Sequence, residues 1–221
     1  MIFDALKTGD IDVYVDYSGT LWANQFGHPD IRPRAELLDA LKADLAKSKV
    51  TLFGELGFAN AYALVIPRAK AKALGIKTIS DLASRAGGMT IAGDYEFFSR
   101  PEWAGIRSAY GLTFKAQRTM QPDFMYAAVA SGEVDVISGY TSDGLIAKYD
   151  LVVLDDPKAA IPPYDAIVLL SPQRADDQAL RNALQPLLGA INIATMREAN
   201  LRASSESPDA VARWLAEKLG K

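Results

Sequence analysis

Short apolar runs alternate along this chain with stretches whose apolar residues recur every three or four positions, a pattern that predicts an α/β fold. Residues 11–15 (Ile-Asp-Val-Tyr-Val), 62–67 (ended by a proline), 89–92, 134–137, 151–154 and 166–170 read as strands. Leu37, Leu38, Leu41 and Leu45 line one face of a predicted helix over 34–47. Further helices are predicted over 103–110, finished by Gly111, and over 122–130, 178–192 and 208–219. Another opens at Ser80, read as its capping residue. Residues 1–7 carry the pattern of an amphipathic helix with no cap and no basic-then-apolar leader before it, so the sequence reads either as one from which a leader and more were removed or as one whose start was placed late.

One stretch echoes another. Ala5-Leu-Lys-Thr-Gly-Asp-Ile-Asp-Val is matched by Val129-Ala-Ser-Gly-Glu-Val-Asp-Val. In both, a helix ends at glycine, an acidic residue follows, and a strand starts on apolar-Asp-Val. Both strands run into a tyrosine beside hydroxyl and glycine residues, Tyr17-Ser-Gly-Thr and Tyr140-Thr-Ser-Asp-Gly. Helix-Gly-strand is a generic sequence, so coincidence is one reading. The other is two α/β lobes of similar design, each presenting a tyrosine at a strand's carboxyl end, where open α/β sheets bind ligands.

Composition narrows the chemistry. Lys and Arg total 24 against 27 Asp and Glu in 221 residues, a net charge of −3. With no basic excess to neutralise phosphates, nucleic acid is not an expected partner. No apolar run approaches the ~18 residues of a membrane span. Cysteine is absent, which removes disulfides, thiolate nucleophiles and Cys-held metals. The one histidine, His28, stands in Gly-His-Pro-Asp and reads as a solvated loop residue with no second histidine to share a metal or a triad. No cofactor is expected, since residues 86–89 (Ala-Gly-Gly-Met) lack both the P-loop lysine and the dinucleotide pattern.

The segment Asp94-Tyr-Glu-Phe-Phe-Ser-Arg100 follows a predicted strand with an unusual density of charge and aromatic rings. It reads either as a polar loop, with Phe97 and Phe98 in the core and Arg100 in a structural ion pair, or as a crevice mouth. In the second case the Arg100 guanidinium holds a carboxylate by two parallel hydrogen bonds. Asp16, Asp94, Glu96 and Asp143 all sit near predicted strand ends, so an enzyme working on a small charged substrate through Asp94, Glu96 or Asp143 stays open as an alternative. No nucleophile, histidine base or metal set accompanies them.

Nine tyrosines are present, and Tyr17, Tyr62, Tyr140 and Tyr164 each stand at a strand end or turn. Singly, each reads as core or rim. Together, aromatic faces converging on one point suit a quaternary ammonium, which neither donates nor accepts hydrogen bonds and is held by the ring quadrupole. Three or four such contacts at roughly 0.5–2 kcal/mol each support micromolar binding.

These stretches resemble the substrate-binding proteins (OpuAC/ProX-like) of bacterial ABC importers for glycine betaine, choline and related osmoprotectants. The similarity runs through Gly9 to Thr20, Gly57 to Leu64, Thr78 to Ala83, Asp94 to Arg100, Gly132 to Gly144, and Leu151 to Lys158 with Pro162 to Ala166, covering nearly the whole chain in order. The resemblance implies a two-lobed periplasmic-binding-protein fold (type II), closing on its ligand like a hinge. Lobe I is expected over 1–61 and 165–221, and lobe II over 62–164. It implies an aromatic cage of Tyr17, Tyr62, Tyr140 and Tyr164, a polar contact from Thr20, and a carboxylate held by Arg100 with Glu96 lining the same pocket. It implies a non-catalytic role, an ABC permease transmembrane subunit as partner, and a periplasmic or extracellular membrane-associated location. A ligand-sensing domain of the same fold is a further alternative. Family members carry a strand–helix–strand segment ahead of the point where Met1 stands, so lobe I is expected to be incomplete at its N-terminus and either to self-associate or to close the gap by rearranging its own N-terminal helix.

Overall fold

A computed structural model describes residues 2–220, so Met1, at the head of the first expected helix, and Lys221 lie outside the described residues. The strands are β1 (Val13–Tyr17), β2 (Thr51–Ala59), β3 (Tyr62–Pro67), β4 (Thr90–Gly93), β5 (Ala116–Thr119), β6 (Val136–Tyr140), β7 (Leu151–Val153) and β8 (Asp165–Leu170). They form two sheets, of order β1-β8-β2 and β5-β4-β6-β3-β7. Two compact units contain them. The first is Met1–Asn60, Pro162–Met196 and Trp214–Lys221; the second is Ala61–Ile161 and Arg197–Arg213.

In the first unit β8 is the central strand, antiparallel to both neighbours. Its run Asp-Ala-Ile-Val-Leu-Leu is buried throughout because both sheet faces are covered. Ile167 and Leu169 point into a cluster with Leu6, Leu21, Trp22 and the helix leucines 37, 41 and 45. Ala166 and Val168 point the other way, toward Leu56, Phe58 and Ile191. The period of two along the strand sorts these residues between the faces.

The second unit repeats the device around β3, antiparallel to β6 and β7, with β4 parallel to β5 and β6. Tyr62, Leu64 and Ile66 join one core and Ala63 and Val65 the other. Truncating the fully buried Leu64 to Ala would cost about 2–5 kcal/mol by the usual measure of a core cavity.

Several expectations need correction. The helix after Lys77 is capped by Thr78, not Ser80: Thr78 Oγ1 accepts the Asp81 N–H at 3.1 Å and Asp81 returns a carboxylate to the Thr78 N–H at 2.9 Å. The helix expected over 178–192 stops at Leu184, because Pro186 cannot continue the ladder, and a short turn at Gln185–Leu187 follows. Gly189 and Ile191 then donate backbone N–H groups to Glu55 and Leu56 of β2. The next helix, Ile193–Arg202, was not anticipated. Nor were β2, interrupted by glycines, and β5, whose Ala-Gln-Arg-Thr is too polar to show alternation. The segment 197–213 groups with the second unit. Arg197 Nε donates to the Thr141 carbonyl at 2.7 Å and Asn200 Nδ2 to that of Ser142 at 2.9 Å.

Candidate binding site

In the second unit two of the expected tyrosines meet. Tyr140 ends β6 and Tyr62 begins β3, and the antiparallel register sets Tyr62 opposite Tyr140. Their ring centroids lie 4.6 Å apart at 35°, and the Tyr140 hydroxyl donates to that of Tyr62 at 2.9 Å. Tyr62 is buried and Tyr140 half-buried. Burial, then the Tyr140 hydroxyl, pushes the Tyr62 phenol far above its ordinary range, and burial also raises Tyr140. Both rings stay neutral, which suits a π-face offered to a cation.

Arg100 stands over the Tyr62 ring, its Cζ 5.1 Å from the ring centroid. Its Nη1 donates to Glu96 Oε2 and its Nε to Glu102 Oε2, both at 3.3 Å. Burial works against the guanidinium's charge, while the neighbouring Glu102 carboxylate favours it, and its pKa is raised. The loop is shaped by Asp94, whose Oδ1 accepts the N–H groups of Glu96 at 2.8 Å and Phe97 at 2.9 Å. Phe97 is thereby driven into the core, 5.5 Å from the Tyr62 ring and 5.3 Å from Trp103. The features of the polar-loop reading are present, with Phe97 in the core and Arg100 ion-paired, and Arg100 also stands over an aromatic face.

The carboxylates weighed for catalysis have other work. Asp94 holds backbone N–H groups, and Glu96, 76% exposed, pairs with Arg100. Asp143 Oδ2 accepts the Tyr126 hydroxyl and, at 2.9 Å, the Tyr140 N–H. Among the described residues no three His, Asp or Glu side chains gather as metal ligands.

The first unit carries Tyr17, Thr20 and Tyr164. Tyr17 ends β1, Tyr164 immediately precedes β8, and Tyr17 pairs with Ala166 across the ladder. Between them lies Ser18, fully buried, whose Oγ donates to the Pro163 carbonyl at 3.2 Å and accepts the Asp165 N–H at 2.9 Å. A Cβ on Gly19 would lie 2.6 Å from the Pro163 carbonyl and 2.9 Å from the Tyr164 ring, so only glycine permits this approach. Buried Asp165 is held by Arg34 Nε at 2.7 Å, and Arg34 also pairs with Glu55. Thr20 is half-buried at the end of the helical turn Ser18–Thr20. Burial raises the Asp16 carboxyl although it accepts the Tyr17 N–H at 2.7 Å.

His28 stands in a loop with a third of its side chain exposed, but it is not merely solvated. Its ring stacks on Trp22 with centroids 3.7 Å apart, and its Nε2 lies 2.7 Å from Asp44 Oδ2. Sequence reasoning also passed over Ser18, Thr141 and Asp143 as supports of the tyrosines. The signal was present in the hydroxyl residue that follows the tyrosine in both halves of the echo.

A family model for the substrate binding domain of the ABC-type glycine betaine transport system (OpuAC) matches residues 1–217. The chain belongs to that family. It is a substrate-binding domain of a transport system and not an enzyme, which sets aside the catalytic alternative. The ergothioneine transport permease/ergothioneine binding protein EgtU of Helicobacter pylori (strain G27) is 30% identical over 99% of this chain, which spans 40% of that protein's length. The carnitine transport binding protein OpuCC of Listeria monocytogenes is 29% identical over 97% of this chain and 72% of its own. The crystal structure of a glycine betaine/carnitine/choline ABC transporter superposes with a TM-score of 0.91 at 30% identity, covering 98% of this chain and 82% of that one. The expected two-lobed, type II α/β fold is the fold found. Among the described residues no helix is long and apolar enough to cross a membrane.

Proposed function

We propose that this domain takes up a small quaternary ammonium compound carrying a carboxylate, with Tyr17, Tyr62, Tyr140 and Tyr164 facing the cation, Thr20 a polar contact and Arg100 receiving the carboxylate. Glu96, which pairs with the guanidinium, lines the same pocket. The observation that carries this reading is the second unit's cluster, where the guanidinium lies 5.1 Å from the Tyr62 ring and that neutral ring lies 4.6 Å from the neutral ring of Tyr140. Aromatic faces attract a cation that has no N–H to donate, and a guanidinium fork attracts a carboxylate, so the cluster suits a zwitterion. The ligand classes named for the relatives, glycine betaine and carnitine among them, have this chemistry.

The domain delivers its ligand to an ABC permease transmembrane subunit and works on the outer side of the membrane, periplasmic or membrane-anchored. Its lobes are the 1–61 plus 165–221 and 62–164 divisions, amended so that Ala61 and 197–213 go with the second and 162–164 with the first. Self-association through the first unit, where β1 is an edge strand with Val15 exposed, is read by light scattering on the same protein; a monomer removes it.

Calorimetry against glycine betaine, carnitine and choline tests the cage. Tyr140→Ala is expected to weaken binding about tenfold or more, and Tyr140→Phe much less, because phenylalanine keeps the ring quadrupole. Equal affinity in the parent and the alanine variant refutes the assignment.

A further inference from the structure

In both units the residue directly after the strand-ending tyrosine carries a hydroxyl that closes the sheet one rung beyond its last paired residues. In the second unit the β3–β6 ladder ends at Tyr62 opposite Tyr140. The next N–H, of Ala61, donates to Thr141 Oγ1 at 3.1 Å, and the Thr141 N–H donates to the Ala61 carbonyl at 2.9 Å. In the first unit the β1–β8 ladder ends at Tyr17 opposite Ala166. The next N–H, of Asp165, donates to Ser18 Oγ at 2.9 Å, and the same hydroxyl donates to Pro163 at 3.2 Å, so it grips the chain on both sides of Tyr164.

Strand ends fray where backbone pairing stops, and a fraying end lets the terminal side chain swing. Here each terminal side chain is a proposed ligand-facing ring. We propose that Ser18 and Thr141 are positioning residues, each clasping the two tyrosine-bearing segments of its own unit so that the ring spacing is set before ligand arrives. The inference rests on the cage reading above and adds the residues that make the cage rigid. Pre-set rings spare the ligand the entropy of ordering them, which is how preorganisation raises affinity.

Thr141→Val keeps the side-chain shape and removes the hydroxyl. It is expected to weaken glycine betaine binding about fivefold, the equivalent of one net hydrogen bond. Thr141→Ser is expected to restore it. In a Tyr140→Ala background the same Thr141→Val change is expected to alter affinity less than twofold, since the ring it positions is gone. A merely structural threonine would weaken both backgrounds equally, and that result overturns the inference. Ser18→Ala read against Tyr164→Ala is the matching cycle in the first unit. If Tyr140→Ala weakens binding and Thr141→Val does not, the clasp is wrong and the cage stands. If Tyr140→Ala leaves binding intact, the cage itself falls. A crystal structure of Thr141→Val decides the clasp without ligand: a Tyr140–Tyr62 hydroxyl separation still at 2.9 Å overturns it.

Discussion

Replacing Arg100 by alanine separates the charge recognition of this site from its aromatic recognition. The guanidinium lies 5.1 Å from the Tyr62 ring and is held by Glu96 and Glu102, so it is fixed before any ligand binds. Hydrogen bonds to a charged group are worth about 1.5–3 kcal/mol net. Losing them therefore lowers glycine betaine affinity roughly tenfold to a hundredfold. Choline has the same trimethylammonium head and no carboxylate, so its affinity is expected to hold or rise as a nearby positive charge leaves. Arg100→Lys is expected to recover only part of the betaine affinity, because an ammonium cannot form two parallel bonds. Glu102 is buried, so the alanine variant also loses fold stability, and a melting curve is run alongside to keep the two effects apart. Isothermal titration of parent, alanine and lysine variants with both ligands is the assay. Equal losses for betaine and choline refute the assignment and leave Arg100 a structural ion pair.

Two further expectations concern the supports. Asp135 is pushed up by burial, but Lys70 and the Thr90 N–H at 2.7 Å more than offset this and bring its pKa below the ordinary aspartate value of 3.8. Its contribution is thus present above pH 3.8 and lost as pH falls through the lower folded value. Asp135→Asn is expected to destabilise by roughly 1–3 kcal/mol at neutral pH, with the gap to the parent closing in acid; a pH-independent gap in urea unfolding contradicts this. Gly19→Ala places a methyl 2.9 Å from the Tyr164 ring and is expected to cost about 1–3 kcal/mol and weaken betaine binding, as melting and calorimetry on one sample will show.

The fold class and most elements were legible in the sequence because they are local. The leucines of Arg34–Lys47 repeat every turn, and the apolar runs of β3 and β8 announce strands covered on both faces. The echo was legible too, and each of its aspartates makes an ion pair, Asp12 with Arg174 and Asp135 with Lys70. Illegible elements had no local signature. The polar edge strand β5 shows no alternation, and Pro186 divides what the apolar period alone joined into one helix.

The identity of the ring and guanidinium residues was therefore in the sequence, while their company was not. Tyr62 and Tyr140 stand 78 positions apart, and only the antiparallel register of β3 and β6 sets one beside the other. Register depends on pairing between distant segments, which leaves no mark on either segment alone. The same holds for Arg100, whose standing over Tyr62 follows from the turn that Asp94 makes and from Phe97 sinking into the core. His28 shows the converse: its loop context announced solvent, and a tryptophan and an aspartate brought in by the fold gave it a stacked, hydrogen-bonded place. Sequence pattern fixes which side chains are offered, since periodicity and turn chemistry act within a few residues. Tertiary pairing decides which of them meet, since that free energy resides in contacts between segments far apart in the chain.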